Sequence, residues 1–443
     1  MKSLLTRPHF CEAVRSGRSK TRWCVALAVV FATTAAADMS STIALNLDQL
    51  IATAERDNKD LRAARFAIDA ARARLVQAGA LPNPRINVGA GSDFAFRNEG
   101  AYSASAGVSQ DFPIAGRLAR QKDVARVDID LAQAEILDAQ RKLAGEIAGN
   151  VYRILVVDRQ MQARDSLSAV DERLAKVTRS RFKAAEVSEL DVNTIALDLQ
   201  RLAQERLLLQ AQRRTLLQSL NQQIGRPVNA PLEVVEPLPA VDTLPPLDSE
   251  LSRALAQRPD QRQASLQIDR SQAELGLANA KRWEDWSVGL GVQQGRQSIV
   301  GAPGQPADRA LTLNVTIPLS LKSRTQGLIS EAAVGVRKSR AQSDALTQQI
   351  GSEVGAAHAE AANLQILYKN YESTLLPVTA RNVALAQQGY ERGLVPLLEV
   401  IQAQRQEADL RTNALNTLDL YLQAYARLRT AVGDFPLLTD GSP

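Results

Sequence analysis

The chain has 443 residues, of which 45% are hydrophobic, 4% aromatic and 23% charged, and its formal net charge is +5. Abundant Ala, Leu, Gln and Arg, all good helix formers, mark an ordered and helix-rich protein rather than a disordered one. The excess charge sits at the start: of 53 basic and 48 acidic side chains, residues 1–37 hold six and one, which leaves 47 of each beyond them. The basic excess of the whole chain is thus no evidence for a nucleic-acid partner, which would need a basic patch that survives in the neutral remainder.

Residues 1–37 pass from basic side chains through an apolar run at 23–31 to Ala35-Ala36-Ala37. That order predicts a secretory signal peptide cleaved after Ala37, so that the mature chain starts at Asp38. A membrane anchor would need about 20 apolar residues, and this run has about half of that. Both cysteines, Cys11 and Cys24, leave with the leader, so the mature chain carries no disulfide. Thr-Arg-Trp precedes Cys24 in place of the small residues of a lipoprotein site, and no lipid anchor is expected. No later apolar run approaches 18 residues, which excludes a spanning helix.

The rest of the chain is written twice. Residues 47–91 recur at an offset of 200, with Leu47, Asp48, Ala54, Asp60, Ile68, Asp69, Leu75, Val88, Gly89 and Gly91 identical in both copies. The offset grows to 205, where Pro113 meets Pro318, and to 208, where Val187 and Gly225 meet Val395 and Gly433. A slow drift of this kind comes from loop insertions in a duplicated unit, and the period is far too long for a solenoid. The expected organisation is a first repeat over 38–225, a proline-rich extended crossover over 226–246, a second repeat over 247–433 and a flexible tail over 434–443.

Each repeat opens with a helix, which in the first copy ends at the prolines of LPNP (81–84). Two strands follow, at 85–94 and 102–112, and again at 286–294 and 309–319. Ile86 and Val88 alternate with Asn87, Gly89 and Gly91; Val288, Leu290 and Val292 alternate with Ser287, Gly289 and Gly291. Segments of about ten residues, apolar on one face and small or polar on the other, suit a lipid-facing β-barrel, although any one of them also fits a soluble hairpin. Helix resumes after Pro113 and Pro318. Apolar steps of three and four run through Ile129, Ile136, Leu143, Ile147 and Ile154, and through Leu346, Ile350, Val354 and Ala361, a coiled-coil seam. From about Arg117 to Ser180 such a helix is a rod of about 100 Å. A turn reverses the chain, and a helix of about 40 residues returns.

Four strands cannot close a barrel, and open edges are not tolerated in lipid, so other copies of the chain must complete the sheet. Two copies would supply eight strands and three would supply twelve.

The two reversal motifs, FKAAEVSELDVNTIA (182–196) and YERGLVPLLEVIQAQ (390–404), resemble the aromatic-x-x-Gly-x-x-x-x-x-acid-Val pattern of the TolC family of outer-membrane efflux ducts. The resemblance extends over essentially all of the mature chain, including the duplication and the crossover. LPNP and FPIAGR (112–117) are similar to the ducts of heavy-metal pumps of the cobalt, zinc and cadmium type. The resemblance implies a mainly α fold with a small β part. Three copies would build a 12-stranded transmembrane barrel continued by a helical tunnel in the periplasm. It implies a homotrimer in outer-membrane lipid that works as the exit duct for an inner-membrane RND pump and a periplasmic adaptor. The cargo would be metal cations or small toxic compounds.

The same resemblance implies a tunnel closed at its tip by inward-facing charges. Asp191 and Glu399 occupy the matching acidic positions and Tyr390 the tip tyrosine, with Arg392 and Lys183 beside them as further gate candidates. The adaptor would meet the turns at Phe182, Ala185, Val187, Gly393, Val395 and Pro396. Two positions depart from the family pattern, with Val395 where a gate arginine can occur and Gln402 where a second acidic ring can occur. Solvated acids at helix starts remain the other reading of Asp191 and Glu399, because acids favour that end of the helix dipole.

Little supports catalysis. The single mature histidine, His358, lacks histidine or cysteine company, and Met39 and Met161 make no soft-metal site. The GAG and GLG sequences at 89–91 and 289–291 lack the third glycine and the helix of a nucleotide fold. No cofactor and no resident metal are expected. An adaptor or scaffold protein is the alternative function, and a periplasmic enzyme or binding protein is a third class.

Overall fold

The computed structural model describes residues 43–95, 100–298, 301, 303, 305–319 and 322–435. The expected signal peptide and residues 436–443 of the expected tail lie outside them. Two short helices, rather than one, open each half. In the first half α1 (Leu47–Asp57) and α2 (Lys59–Ala78) part at Asn58, and in the second α5 (Leu247–Gln257) and α6 (Pro259–Ala280) part at Arg258. Asn58 is extended, and its side-chain oxygen accepts from the amides of Asp60 and Leu61, both at 2.9 Å. That cap restarts the helix in a new direction. At 258 no side chain caps; Pro259, which has no amide to satisfy, takes the first helical position instead. The single opening helix read from periodicity is thus corrected, and Pro259 was its visible breakpoint.

Among the described residues the strands are, in chain order, β1 (Ile43–Leu45), β2 (Arg85–Ser92), β3 (Tyr102–Phe112), β4 (Leu232–Val234), β5 (Trp286–Arg296) and β6 (Asp308–Thr316). β1 and β4 form a small parallel pair that binds the start of the chain to the crossover, which periodicity over three residues could not signal. The other four form one antiparallel sheet in the order β2-β3-β5-β6. Its register sets Val88 against Ala106, Ala106 against Val292 and Val292 against Leu311. One face is therefore apolar across its middle, with Gln110 toward the helices and Gln294, Arg296 and Arg309 toward the hairpins, and nothing covers it in the single chain: Val88 is 78% exposed and Leu311 73%. The opposite face carries Asn87, Gly89, Ser105, Ser109, Gly291, Thr312 and Asn314. β2 and β6 each leave one edge unpaired.

The long helices differ between halves. α3 (Arg117–Lys183) runs 67 residues without a break, about 100 Å, and α4 (Glu189–Gln223) returns beside it. In the second half α7 (Lys322–Asn370) meets a π-helical turn at Tyr371–Leu375 before α8 (Leu376–Glu391), and α9 (Leu397–Val432) returns. Pro377 explains the interruption. It lacks the amide that would bond back along the helix, and the Leu376 amide reaches Tyr371 O, five residues away.

The main core lies where the two repeats meet. Leu50, Ile51, Ile147, Val151, Ile154, Leu220, Ile224, Tyr421 and Leu422 are all essentially inaccessible there, each side chain contributing about 1.5–3 kcal/mol of burial. Beside it a buried ionic network joins α3, α6, α7 and α9. The Arg258 guanidinium donates to both carboxylate oxygens of Asp260 (3.0 and 2.6 Å), to Glu353 (2.8 Å) and to Ala431 O (3.0 Å). Arg141 donates to Asp138 and to Thr430 O (2.6 Å). Burial alone would push the Asp260 carboxyl up; Arg258 holds it below the usual range. The chain remains packed past α9. Phe435 is buried under the Arg429 guanidinium, 4.4 Å from its ring centre, and Asp434 pairs with Arg253 at 2.5 Å. A flexible tail beginning at 434 is therefore corrected for those two residues.

Candidate functional site: the reversal turns and the groove behind them

The two reversals are built on one backbone. In the first, the amide of Glu186 bonds Arg181 O (2.9 Å) and that of Ala185 bonds Phe182 O (2.9 Å). In the second, Leu394 bonds Gly389 O (2.8 Å) and Gly393 bonds Tyr390 O (2.9 Å), each partner 208 residues on. This is the Schellman closure, which needs a left-handed residue just past the helix. Gly393 adopts it at φ 71° without steric cost, whereas Ala185 adopts it at φ 61° with a Cβ in the way.

The side chains part company from there. Ser188 and Asp191 form a reciprocal capping box at the start of α4: the Asp191 carboxylate accepts from the Ser188 amide (3.0 Å) and hydroxyl (2.8 Å), and the Ser188 hydroxyl accepts from the Asp191 amide (3.3 Å). Glu399 holds the equivalent third position of α9, but Pro396 caps that helix with no side-chain bond, and Glu399 is exposed. Tyr390 is buried in a small core with Ile195, Leu397, Val400 and Ile401. The Arg181 guanidinium lies 4.5 Å over its ring and the Thr178 hydroxyl 3.5 Å from its own. Its counterpart Phe182 is 43% exposed.

Lys183 ends α3 and Arg392 caps α8, both exposed. No hydrogen bond or ion pair among the described residues connects Asp191, Glu399, Lys183 and Arg392 to one another. Ala185, Gly393 and Pro396 are exposed, and Val187 and Val395 half-buried. The turns also present Leu190 and Leu394, 73% and 74% exposed, which the reading of the motifs passed over.

Behind the turns lies a charged groove between α3, α4 and α9. Arg405 donates to both oxygens of Asp198 (2.8 and 3.0 Å), and Arg164 and Arg201 both pair with Glu205 at 2.9 Å. Asp171 is buried among them, beside a cavity of about 50 Å³ that Gln404 and Asp409 also line. Burial pushes the Asp171 carboxyl up to about 6; the Asp198 charge adds to this and Arg405 opposes it. The motif search missed this group. Its signal was present, since Asp171 stands on the apolar stripe of Leu167 and Leu174 where a seam residue belongs.

Among the described residues no helix is long and apolar enough to cross a membrane, and no group of three or more His, Cys, Asp or Glu could hold a metal ion. His358 bonds Pro245 O at 2.9 Å and so ties the crossover to α7.

A family model described as outer membrane efflux protein matches residues 50–226 and 251–434. The chain is 22% identical over 402 residues to the cobalt-zinc-cadmium resistance protein CzcC of Cupriavidus metallidurans, spanning 88% of this chain and 90% of that protein. Among solved structures, CusC, described for its transmembrane channel formation, is similar with a TM-score of 0.66 at 18% identity over 87% of this chain and 91% of its own. The open state of the MtrE outer membrane channel of Neisseria gonorrhoeae gives 0.64 at 18% identity, over 87% and 88%.

Proposed function

We propose an export duct, and the premise is membership: the chain belongs to the outer membrane efflux protein family. It is an outer-membrane efflux channel whose strands cross the bilayer and whose helices reach into the periplasm. The observation that carries this reading is the sheet β2-β3-β5-β6, with an exposed apolar band across one face and both edges open. A lone chain would leave that face in water and those edges unsatisfied in lipid, so the functional object contains several copies. Three copies would close twelve strands around a lumen walled mainly by Gly, Ser, Asn and Thr, with Asp308 toward its outer mouth and the Arg85–Asp111 pair toward the helices. Such a duct is not an enzyme; it conducts what an inner-membrane RND pump and a periplasmic adaptor deliver. Similarity to CzcC supports metal cations such as cobalt, zinc and cadmium as cargo.

The turns are the constriction and the adaptor contact in this reading. Exposed Phe182, Ala185, Gly393 and Pro396, with Val187 and Val395, give the adaptor an apolar docking surface. Asp191 and Glu399 would supply six carboxylates near the mouth, and Glu399 is the freer of the two, because Asp191 is engaged in its capping box. The experiment is reconstitution of the detergent-extracted protein in planar bilayers, with its mass measured in parallel. A species of three protomers with a small cation-selective conductance is expected, and Asp191→Asn with Glu399→Gln should reduce that selectivity. A monodisperse monomer with full β content would remove the duct, and unchanged selectivity in the double variant would move the gate to Tyr390, Arg392 or Lys183.

A further inference from the structure

The sheet carries its own membrane ruler. Tyr102 and Phe112 lie on one strand and one face, ten residues apart, with Trp286 opposite Phe112. Ten residues at about 3.3 Å each, tilted as barrel strands are, rise about 25 Å, the height of an outer-membrane apolar band. The Phe112 and Trp286 end adjoins the helices. The Tyr102 end therefore faces outward, on the reading that the protein is an outer-membrane duct.

The two ends are not alike in charge. At the helix end the guanidinium of Arg117 is taken by Asp285 and that of Arg85 by Asp111. At the hairpin end the register sets Arg296 directly opposite Tyr102, and Arg309 directly opposite Gln294. All four share the face of Val292 and Leu311, which is the lipid face. Asp308 is opposite Gly295 and so points to the other side of the sheet. Both arginines are exposed, and among the described residues neither has an ion pair or hydrogen bond. They stand one diagonal step apart on adjacent strands, about 7 Å, within reach of a single anion. Beside them, Gln294 donates to the Tyr102 hydroxyl at 3.4 Å.

We infer that Arg296 and Arg309 form a binding site for the phosphate of a phosphorylated glycolipid headgroup in the outer leaflet, one site per protomer. A guanidinium just beyond the apolar band meets the headgroup layer, and two of them match the oxygens of a phosphate with charge-assisted bonds. Tyr102 would sit at the boundary between acyl chain and sugar, where an amphipathic ring is at home. The site would anchor the depth of the barrel and give it an outward polarity that its apolar band lacks.

The test is native mass spectrometry of the detergent-purified wild-type protein titrated with bis-phosphorylated lipid A, without divalent cations. Chemically dephosphorylated lipid A and inorganic phosphate are run beside it. Up to three lipid adducts per trimer are expected with the phosphorylated lipid, and far fewer without its phosphates. Arg296→Gln with Arg309→Gln should raise the half-saturating lipid concentration about thirtyfold, at about tenfold or less per arginine. Arg340→Gln, an exposed arginine on α7, should leave it unchanged. Equal binding of the dephosphorylated lipid, full competition by inorganic phosphate, or undiminished binding by the double variant would each overturn the inference. Failure of the wild type to form trimers, read from the mass of the lipid-free species, or to conduct in planar bilayers would instead overturn the duct, and neither reading depends on the lipid adducts.

Discussion

The reversal turns of the two repeats share the two backbone bonds that close them and almost no side-chain solution. Glu186, Ala185, Arg181 and Phe182 make the bonds that Leu394, Gly393, Gly389 and Tyr390 make 208 residues later. Yet one turn holds an alanine in the left-handed region and a capping box, and the other a glycine and a proline cap. The same divergence recurs at the helix breaks, where Asn58 caps through its own side chain and Arg258 stands before a proline. Duplication has kept the path of the chain, because the path is what the sheet and the coiled coil require. Each repeat has been free to stabilise that path in its own way. Asymmetry of side chains within a symmetric backbone is then where regulation and specificity can reside.

The contrast is sharpest at the breaks, and the largest effect is expected there. Asn58 caps α2 and donates one uncharged bond to Gln223 O at the end of α4, at 2.7 Å. Arg258 bonds Asp260, Glu353 and Ala431 O in a buried site. Removing one partner of a buried pair strands the other charge, so Arg258→Gln should destabilise by about 3–5 kcal/mol, whereas Asn58→Ala should cost about 1–2 kcal/mol. Urea unfolding followed by circular dichroism, in detergent, compares the two. Equal costs would mean that the breaks are equivalent after all, and the network incidental.

The groove behind the turns offers a second contrast, of intermediate size. Buried Asp171 has Thr379 as its counterpart at the 208 offset, equally buried but with its hydroxyl satisfied by Leu375 O and Leu376 O, both at 3.1 Å. The Asp171 carboxyl is raised from 3.8 to about 6, so the folded protein holds this proton more tightly than the unfolded chain does. Stability from this group is greatest below about pH 4 and falls as pH rises, with the full penalty present above about pH 6. Asp171→Asn should therefore match the wild type at pH 4 and exceed it at pH 7.5 by about 1–3 kcal/mol. A constant difference between the two proteins across that range would show that Asp171 does not titrate in the window.

The fold was largely legible, for reasons that can be named. Period-two alternation at Ile86, Val88, Val288 and Leu290 survives because one sheet face must be apolar, and helical periodicity survives over α3 because its seam is long. The short elements were not legible. Three residues at Ile43–Leu45 carry no period, and the break at Asn58 depends on a capping bond that many asparagines never make. At the candidate site the motifs located the turns, but they could not tell that Tyr390 is buried beneath Arg181 while Phe182 is exposed. Equal spacing in sequence conveys position, and burial depends on what the neighbouring helix brings. The π-helical turn before Pro377 shows the same limit, since a proline marks an interruption without saying how the helix absorbs it.

The smallest effect tests the turns themselves. Ala185 and Gly393 close the same Schellman bonds with the same sign of φ, so the backbone asks for the same residue at both places and receives it only once. An L-residue with a Cβ pays about 1 kcal/mol to stand in the left-handed region, and glycine avoids this at the cost of a more flexible unfolded chain. Ala185→Gly should therefore stabilise the first turn by up to about 1 kcal/mol, and Gly393→Ala should destabilise the second by about 1 kcal/mol. No atom lies within 4 Å of a Cβ built on Gly393, so a loss of stability there would come from the backbone alone rather than from a clash. Hydrogen exchange at the Glu186 and Leu394 amides reads each turn separately, with slower exchange expected at 186 in the first variant and faster exchange at 394 in the second. If Ala185→Gly instead speeds exchange at Glu186, the alanine is favoured there by packing against another copy of the chain, and the asymmetry of the turns belongs to the assembly rather than to the protomer.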